Sequence, residues 1–180
     1  TVNTAAVKDA DRPLTIAPVT VNEASPWAVF TVSGAANQLA ALSLANVTTT
    51  GLSGLEYFDT VAGQWTPYTS GNVPLDANGE LLVRVAINPE RDTLLDGPET
   101  FKLVATNTGG VSGTGVGTIV DDGSGDYVAF SSNTSPTPLA QPAASALDDD
   151  RPLRVDNITV NEGSPKAVFS VMGAAGQYVK

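Results

Sequence analysis

Apolar and polar residues alternate in several short stretches of this chain, as they do in β-strands that bury one face. The clearest stretch is Leu81–Ile87, in which the odd-numbered residues are aliphatic and Arg84 lies on the outward face. Further strands are predicted at Leu14–Val21, Trp27–Ser33, Leu39–Leu44, Leu55–Phe58, Gln64–Tyr68, Thr100–Thr106 and Thr114–Val120. Short strands between turns rich in Gly, Pro and Asn predict an all-β fold, an antiparallel two-sheet β-sandwich.

The chain also contains an internal repeat. Residues 11–38 and 150–177 align without a gap at an offset of 139 residues, with 18 identities in 28 positions. A unit of this length is a whole domain, so the parent protein is expected to be an array of domains. The predicted organisation is the end of a preceding linker (1–10), a complete sandwich (11–122), a linker rich in Gly, Pro, Ser, Thr and Ala (123–149), and the truncated first strands of the next repeat (150–180).

Charge and composition exclude several classes of function. Asp and Glu number 19 against nine Lys and Arg, which gives a net charge of −10. Such a chain is not expected to bind nucleic acid or an anionic membrane surface, and no apolar run approaches the roughly 20 residues of a membrane span. The absence of Cys and His removes disulfides, thiolate zinc sites and serine–histidine catalysis, so we do not expect an enzyme.

Three motifs occur in a recognisable order. The first combines Val19–Glu23 with Ala28–Val32. The second is Asp96–Leu103, before the penultimate strand, and the third is Gly117–Asp122, at the end of the sandwich. In this order they resemble the Calx-β family of immunoglobulin-like β-sandwiches, over the whole of residues 11–122. The resemblance implies a secreted, extracellular or cell-surface setting, in large bacterial adhesins and extracellular matrix proteins.

The same resemblance implies that Ca²⁺ binds at one end of the sandwich. The ligands carried over from the family motifs are Glu23, Asp92, Asp96, Glu99, Asp121 and Asp122. Calcium prefers hard oxygen ligands, which strand ends and loops can bring together from distant parts of a chain. One departure concerns residues 46–54, where the family usually supplies an aspartate and this sequence has no acid.

A second acidic cluster lies where the two repeats join. Asp148, Asp149 and Asp150 precede the second copy, whose Glu162 is the counterpart of Glu23. The hypothesis from sequence is that a cation bridges the linker end to Glu162 and stiffens the joint. Asp11 and Glu23 would be the equivalent pair in the first copy.

The aromatic residues admit two interpretations. Trp65 with Tyr57, Phe58 and Tyr68 could stack on a sugar, but such a group more often belongs to a sandwich core or its lid. Trp27 is predicted to lie at the surface, because the second copy has Lys166 at that position.

Three functions are therefore expected, in this order. The first is a calcium-stabilised structural or extender repeat of a long bacterial surface adhesin or extracellular fibre, with neighbouring repeats of the same protein as its partners. The alternative is a subunit of a strand-exchanging filament or surface layer, which would associate head-to-tail through residues 150–180. The third is a carbohydrate- or protein-binding module that uses Trp65 or Trp27.

Overall fold

The computed structural model of the chain describes residues 11–179, so the predicted preceding linker at 1–10 lies outside the described residues. The described part is an all-β structure, as predicted. Its strands are β1 (Thr15–Ile16), β2 (Val19–Asn22), β3 (Trp27–Ser33), β4 (Leu39–Asn46), β5 (Leu55–Asp59), β6 (Gln64–Pro67), β7 (Val73–Pro74), β8 (Glu80–Ala86), β9 (Glu99–Asn107), β10 (Ser112–Val120), β11 (Arg154–Val155) and β12 (Val171–Met172). Short 3₁₀ helices occur at Asn88–Glu90 and Ala144–Ala146.

Two five-stranded sheets form the sandwich. The front sheet has the strand order β1-β3-β8-β5-β6, and the back sheet has the order β2-β10-β9-β4-β7. The single strand predicted at Leu14–Val21 is two strands, β1 in the front sheet and β2 in the back sheet. They are separated at Ala17–Pro18, where proline supplies no N–H for a ladder. β2 runs parallel to β10, whereas the other strand pairs of both sheets are antiparallel.

Alternating residues of the two sheets fill the core. In β3, Ala28, Phe30 and Val32 point inward and are fully buried, as the sequence pattern predicts. The Phe30 ring packs edge-on against Phe101 of β9, with ring centroids 5.7 Å apart. Such pairs add about 0.5–1.5 kcal/mol to the burial of the rings, so this contact ties the two sheets together.

Residues 123–149, which the sequence predicts as a linker, lie along the sandwich; we call this segment the strap. Val128 packs against the core, and Asp126 pairs with Thr20 and Asn22 along the edge of β2. Asn133 accepts a hydrogen bond from the Trp65 backbone N–H at 2.9 Å and donates one to the Trp65 carbonyl at 3.0 Å. These contacts satisfy backbone groups that would otherwise be exposed at the edges of both sheets.

The strap also covers Arg84, which the sequence places on an outward face. Although Arg84 points away from the core between the sheets, it is only 5% exposed. Its guanidinium lies 3.9 Å from the Trp27 ring centroid, forms a 2.6 Å ion pair with Glu56, and donates to Asn133 at 3.0 Å. The outward face of β8 is therefore a second packed layer, built from a cation on aromatic rings.

Trp65 belongs to this layer. Its ring is 1% exposed, contacts Phe58 and Phe130, and donates its indole N–H to the Ser135 carbonyl at 2.8 Å. The preference for a core or lid role is confirmed, and the buried ring has no free face for a sugar. Trp27 is half-buried by its contact with Arg84.

The second copy has the same local strand pairing as the first, but its apolar residues are not buried. β11 pairs with β12 in the same register as β1 with β3, so that Val155 faces Val171 as Ile16 faces Val32. However, Phe169 is 58% exposed, whereas its counterpart Phe30 is 0% exposed. The residues that form the core in one copy are thus exposed in the other.

This difference gives a matched pair of substitutions. Phe30→Ala is expected to lower the free energy of unfolding by about 3–5 kcal/mol, because it removes a fully buried ring. Phe169→Ala should change it by no more than about 0.5 kcal/mol, as exposed substitutions usually do. Urea unfolding followed by tryptophan fluorescence measures both, and a large loss in the Phe169 variant would show that the second copy is packed in solution.

Candidate metal centre at the acidic end

The parallel pairing of β2 with β10 brings two acidic residues to the same end of the sandwich, which we call the acidic end. Glu23 follows β2 directly, and Asp121 follows β10 directly. The Glu23 backbone N–H donates to the Val120 carbonyl at 2.9 Å, which fixes the two strand ends side by side. Both carboxylates are buried, so this pairing places two negative charges in one poorly solvated region.

Asp150 completes a cluster of three carboxylates. Its backbone N–H donates to the Asp121 carbonyl at 2.9 Å. One carboxylate oxygen from each of Glu23, Asp121 and Asp150 lies within 4.8 Å of the others. Three acids that are far apart in sequence therefore converge on one point.

One oxygen of this cluster lacks a partner. Asp150 Oδ2 is buried and is the only buried side-chain nitrogen or oxygen atom in residues 11–179 without a hydrogen-bond partner. Buried polar atoms in folded proteins are almost always paired, and an unpaired buried charge is strongly unfavourable. This oxygen is therefore suited to a ligand, and a cation is the species that would compensate it.

Burial and mutual repulsion shift the protonation of the cluster. Burial raises the pKa of Glu23 from 4.5 to about 7; the backbone N–H of Asp92 opposes this shift, and the negative charges of Asp148, Asp150 and Asp92 add to it. The pKa of Asp150 is raised for the same reasons, first by burial and then by the charges of Asp148, Asp121 and Asp92. Both shifts indicate that the ionised carboxylates of Glu23 and Asp150 are unfavourable in this environment.

Glu99 extends the acidic region at the start of β9. Burial raises its pKa from 4.5 to about 7, followed by the charge of Glu90 and a hydrogen bond with that carboxyl group, and then by the charges of Asp96 and Glu23. The Asp96 backbone N–H donates to Asp121 Oδ2 at 3.2 Å, which joins this part to the central cluster.

Glu90 is a member of this region that sequence reasoning missed. It ends the 3₁₀ helix Asn88–Glu90, is buried, and accepts the backbone N–H groups of Thr50 and Gly51 at 3.0 and 2.9 Å. It thus reaches the loop 46–54, where the family pattern would have an acid. Its place two residues before Asp92 is the signal that could have found it.

Seven of the ten predicted ligands are not among the three converging carboxylates, namely Asp92, Asp96, Glu99, Asp122, Asp148, Asp149 and Glu162. The Asp122 carboxylate accepts the Ser124 backbone N–H at 3.1 Å and the Ser124 hydroxyl, which lowers the pKa of Asp122. Hydrogen bonds from Arg151 at 2.6 and 2.8 Å lower the pKa of Asp149 in the same way. Glu162 is exposed on the second copy and is not one of the three converging carboxylates.

Asn22 holds the strap end beside Glu23. This residue is fully buried; its side-chain amide donates to the carbonyls of Ser124 at 2.9 Å and Asp148 at 3.0 Å, and its carbonyl oxygen accepts the Asp148 N–H at 2.8 Å. The two-way link to Asp148 positions residues 148–150 over the acidic end. Sequence reasoning missed this role, although Asn precedes Glu in both copies.

The donor set fits calcium. The converging side-chain atoms are all carboxylate oxygens, and Ca²⁺ takes about six to eight oxygen ligands in flexible geometries. Zinc and copper sites generally use nitrogen or sulfur from His and Cys, which this sequence lacks. Glu23, Asp121 and Asp150 would hold the ion, and the nearby Asp92 and Asp148 could supply further oxygens.

Comparisons with known proteins find distantly similar solved structures but no matching family and no matching curated protein. A scan against protein-family models finds no match to this sequence, and a search of curated proteins finds none either. Among solved structures, the chain is similar to the periplasmic chaperone SfaE, with a TM-score of 0.41 and 8% identity over 59% of this chain and 56% of the chaperone. It is also similar to AggA, the major subunit of aggregative adherence fimbriae type I from Escherichia coli, with a TM-score of 0.34 and 18% identity over 63% of this chain and 97% of that subunit.

Similarity at this level does not identify a function. The match spans a little over half of the chaperone's length, and both identities are low. The Calx-β resemblance therefore remains a prediction from the sequence motifs. Separately, no helix within residues 11–179 has the length and apolar character of a membrane-spanning segment.

The raised pKa values predict how stability depends on pH when divalent ions are removed. Glu23 and Glu99 hold their protons up to about pH 7 in the folded chain but release them near pH 4.5 when unfolded. The folded state thus binds more protons in this window, and stability falls as the pH rises through it. We expect the melting temperature in chelator to decrease from pH 4.5 to pH 7.5.

Two comparisons make this measurement specific. Glu23→Gln should flatten the decrease, because one of the groups whose pKa is raised is then neutral at every pH. The pKa values of Asp122 and Asp149 are lowered, so these two groups titrate below this pH range and do not contribute to the decrease. A melting temperature that rises or stays constant between pH 4.5 and 7.5 in the unmodified chain would contradict the described electrostatics.

Asn22 provides a second prediction. Asn22→Ala removes its hydrogen bonds to the strap and leaves buried backbone groups unpaired, which costs about 1–3 kcal/mol for each such group. The matched variant Asn161→Ala lies at the same repeat position on an exposed part of the second copy and should be nearly neutral. Chemical denaturation measures both, and equal losses would contradict the role assigned to Asn22.

Proposed function

We propose that this chain is a non-catalytic structural module of an extracellular tandem-repeat protein, and that calcium at the acidic end holds the module in a rigid form. The observation that carries the proposal is the convergence of Glu23, Asp121 and Asp150 around a buried oxygen that has no partner. A divalent cation would neutralise carboxylates that otherwise repel one another.

Calcium is supported over other ions by the chemistry of these ligands. Hard carboxylate oxygens favour Ca²⁺ or Mg²⁺, and Mg²⁺ requires nearly ideal octahedral geometry and keeps much of its water. Ligands drawn from two strand ends and from the residue that follows the strap form the kind of adaptable set that Ca²⁺ accepts. The raised pKa of Glu23 also means that ion binding would displace a proton near neutral pH.

The extender role is supported by where the module begins and ends. The β9–β10 turn lies at the end of the sandwich opposite Glu99 and Asp121, and Arg12 is held there by a 2.8 Å hydrogen bond from Asn107. The chain thus enters at one end and continues into the second copy from the acidic end. Repeats joined in this way form an elongated array rather than a compact cluster.

A secreted setting agrees with this mechanism. Free calcium is scarce inside cells and abundant outside them, so a module stabilised by calcium would become rigid after export. An ion that binds only the folded form stabilises it by about 2.7 kcal/mol at a concentration one hundred times its dissociation constant. The repeat would then act as a spacer of an adhesin or extracellular fibre.

Thermal unfolding with calcium and with chelator tests this proposal. Millimolar Ca²⁺ is expected to raise the melting temperature of the unmodified chain, and Glu23→Gln should weaken calcium affinity by roughly 10- to 100-fold or more, as the loss of a metal-site group does. Glu162→Gln is the matched control and should leave the response intact. Identical melting with calcium and with chelator in the unmodified chain would overturn the proposal.

A second candidate function is strand exchange between chains in a filament. It is favoured by the exposure of Val160, Phe169 and Val171, whose counterparts in the first copy are buried in the core. A strand donated by another copy could cover them, because unpaired strands recruit partners by backbone hydrogen bonding.

Oligomeric state distinguishes this candidate. Strand exchange predicts head-to-tail oligomers that grow with concentration, measured by light scattering after size-exclusion chromatography. Phe169→Asp should dissociate them, because it places a charge where an apolar contact would form. A chain that remains monomeric at all concentrations contradicts strand exchange and leaves the extender proposal unaffected.

A further inference from the structure

We infer that the cation site of each repeat is completed by the first residues of the following repeat, so that the ion clamps successive repeats together. This inference rests on the proposed function, because it assumes that the acidic end binds a cation. It goes further in one respect: one ligand of the site comes from the next repeat along the chain and not from the module itself.

The first observation concerns the repeat to which each ligand belongs. In the sequence alignment Asp150 is the first residue of the second copy and corresponds to Asp11. In the structure its carboxylate joins Glu23 and Asp121 of the first copy. The cluster is therefore composite, with two acids from one repeat and one from the next.

The second observation is that Asp11 cannot play this role in its own module. Asp11 lies against Gly109 in the β9–β10 turn, close enough that a side chain at Gly109 would collide with its carboxylate. Glu23 is bonded to Val120, at the other end of β10. Eight steps along β10 separate the two ends by about 27 Å, at about 3.4 Å per residue.

These positions correct the junction hypothesis from sequence. Asp11 and Glu23 are not a pair, because they occupy opposite ends of one sandwich. By the same repeat symmetry, Asp150 and Glu162 belong to opposite ends of the second module. Asp150 instead lies with Glu23 of the preceding copy, and Glu162 is exposed.

The third observation is that both repeats form hydrogen bonds to the junction residues Asp150 and Arg151. The Asp150 N–H donates to the Asp121 carbonyl of the first copy, and one residue later the Arg151 carbonyl accepts from the Gln177 side chain of the second copy. The first copy has the equivalent hydrogen bond, which the Gln38 side chain donates to the Arg12 carbonyl at 2.7 Å. Asp150 is thus hydrogen-bonded to the first copy and the adjacent Arg151 to the second copy. Because no flexible residue separates these two attachments, the two copies cannot move far independently.

Asp149 strengthens this connection without facing the cluster. It pairs with Asp122 of the first copy as an isolated β-bridge, and its carboxylate binds Arg151. An ion held by Asp150 would therefore act on a junction that is already short and hydrogen-bonded. The geometry assigns Asp150 as the residue that couples calcium binding to the angle between repeats.

The experiment uses the full chain with spin labels on both copies. The sequence has no cysteine, so Val61→Cys and Lys166→Cys, both at exposed positions, can be labelled selectively. Calcium affinity is measured by titration calorimetry, and the distance distribution between labels is measured by pulsed electron resonance with Ca²⁺ and with chelator. Asp150→Asn and its matched control, Asp11→Asn, are compared with the doubly labelled chain that carries neither substitution, which serves as the unmodified chain.

Calcium is expected to narrow the distance distribution in the unmodified chain and in the Asp11→Asn variant. Asp150→Asn should weaken calcium affinity by about tenfold or more and abolish the narrowing, because a ligand is lost while the backbone is unchanged. This result supports the inference.

Two other results overturn it. If Asp150→Asn binds calcium as tightly as the unmodified chain, the site is complete within one repeat; the inference then fails and the proposed function stands. If calcium binds but leaves the distance distribution unchanged in the unmodified chain, the clamp fails. An unmodified chain that binds no calcium at all overturns both the inference and the proposed function.

Discussion

Repulsion among buried carboxylates at one end of the sandwich is the constraint on which the rest of this structure depends. Parallel pairing of β2 with β10 places Glu23 beside Asp121, and Asp150, which directly follows the strap, adds a third carboxylate. Water screens these charges poorly because Glu23 and Asp121 are buried, and one oxygen of Asp150 has no partner. Such an arrangement is unfavourable alone, and under the proposed function a divalent cation would offset the repulsion.

The strap connects this local electrostatic problem to the global shape of the chain. It leaves the acidic end at Gly123, passes over Trp65 and Arg84, and returns to the same end at Asp148. Asn22 fixes the return, because its buried amide bonds to Asp148 in both directions. Packing along the strap and the hydrogen bonds of Asn22 at its end therefore stabilise the same conformation, in which the start of the second copy lies beside the acidic end of the first.

The sequence predicts the sandwich well because its pattern is local. The strand Trp27–Ser33 has the predicted bounds, and its residues alternate between buried and partly buried positions. The docking of the strap could not be predicted, because Gly, Pro and Ser give no periodicity and its partners Trp65 and Arg84 are distant in sequence. The cluster was predicted in part, because the motifs include Glu23 and Asp121. The repeat alignment assigns Asp150 to the next module, and the sequence alone does not show that its carboxylate lies beside those of the first copy.

A crystal structure of the chain grown with calcium, with anomalous scattering used to locate the ion, tests the central claim most directly. The account predicts one calcium ion bonded to oxygens of Glu23, Asp121 and Asp150, at about 2.3–2.6 Å from each. Water alone among these carboxylates at millimolar calcium, or an ion bound elsewhere while Asp150 faces solvent, would contradict it.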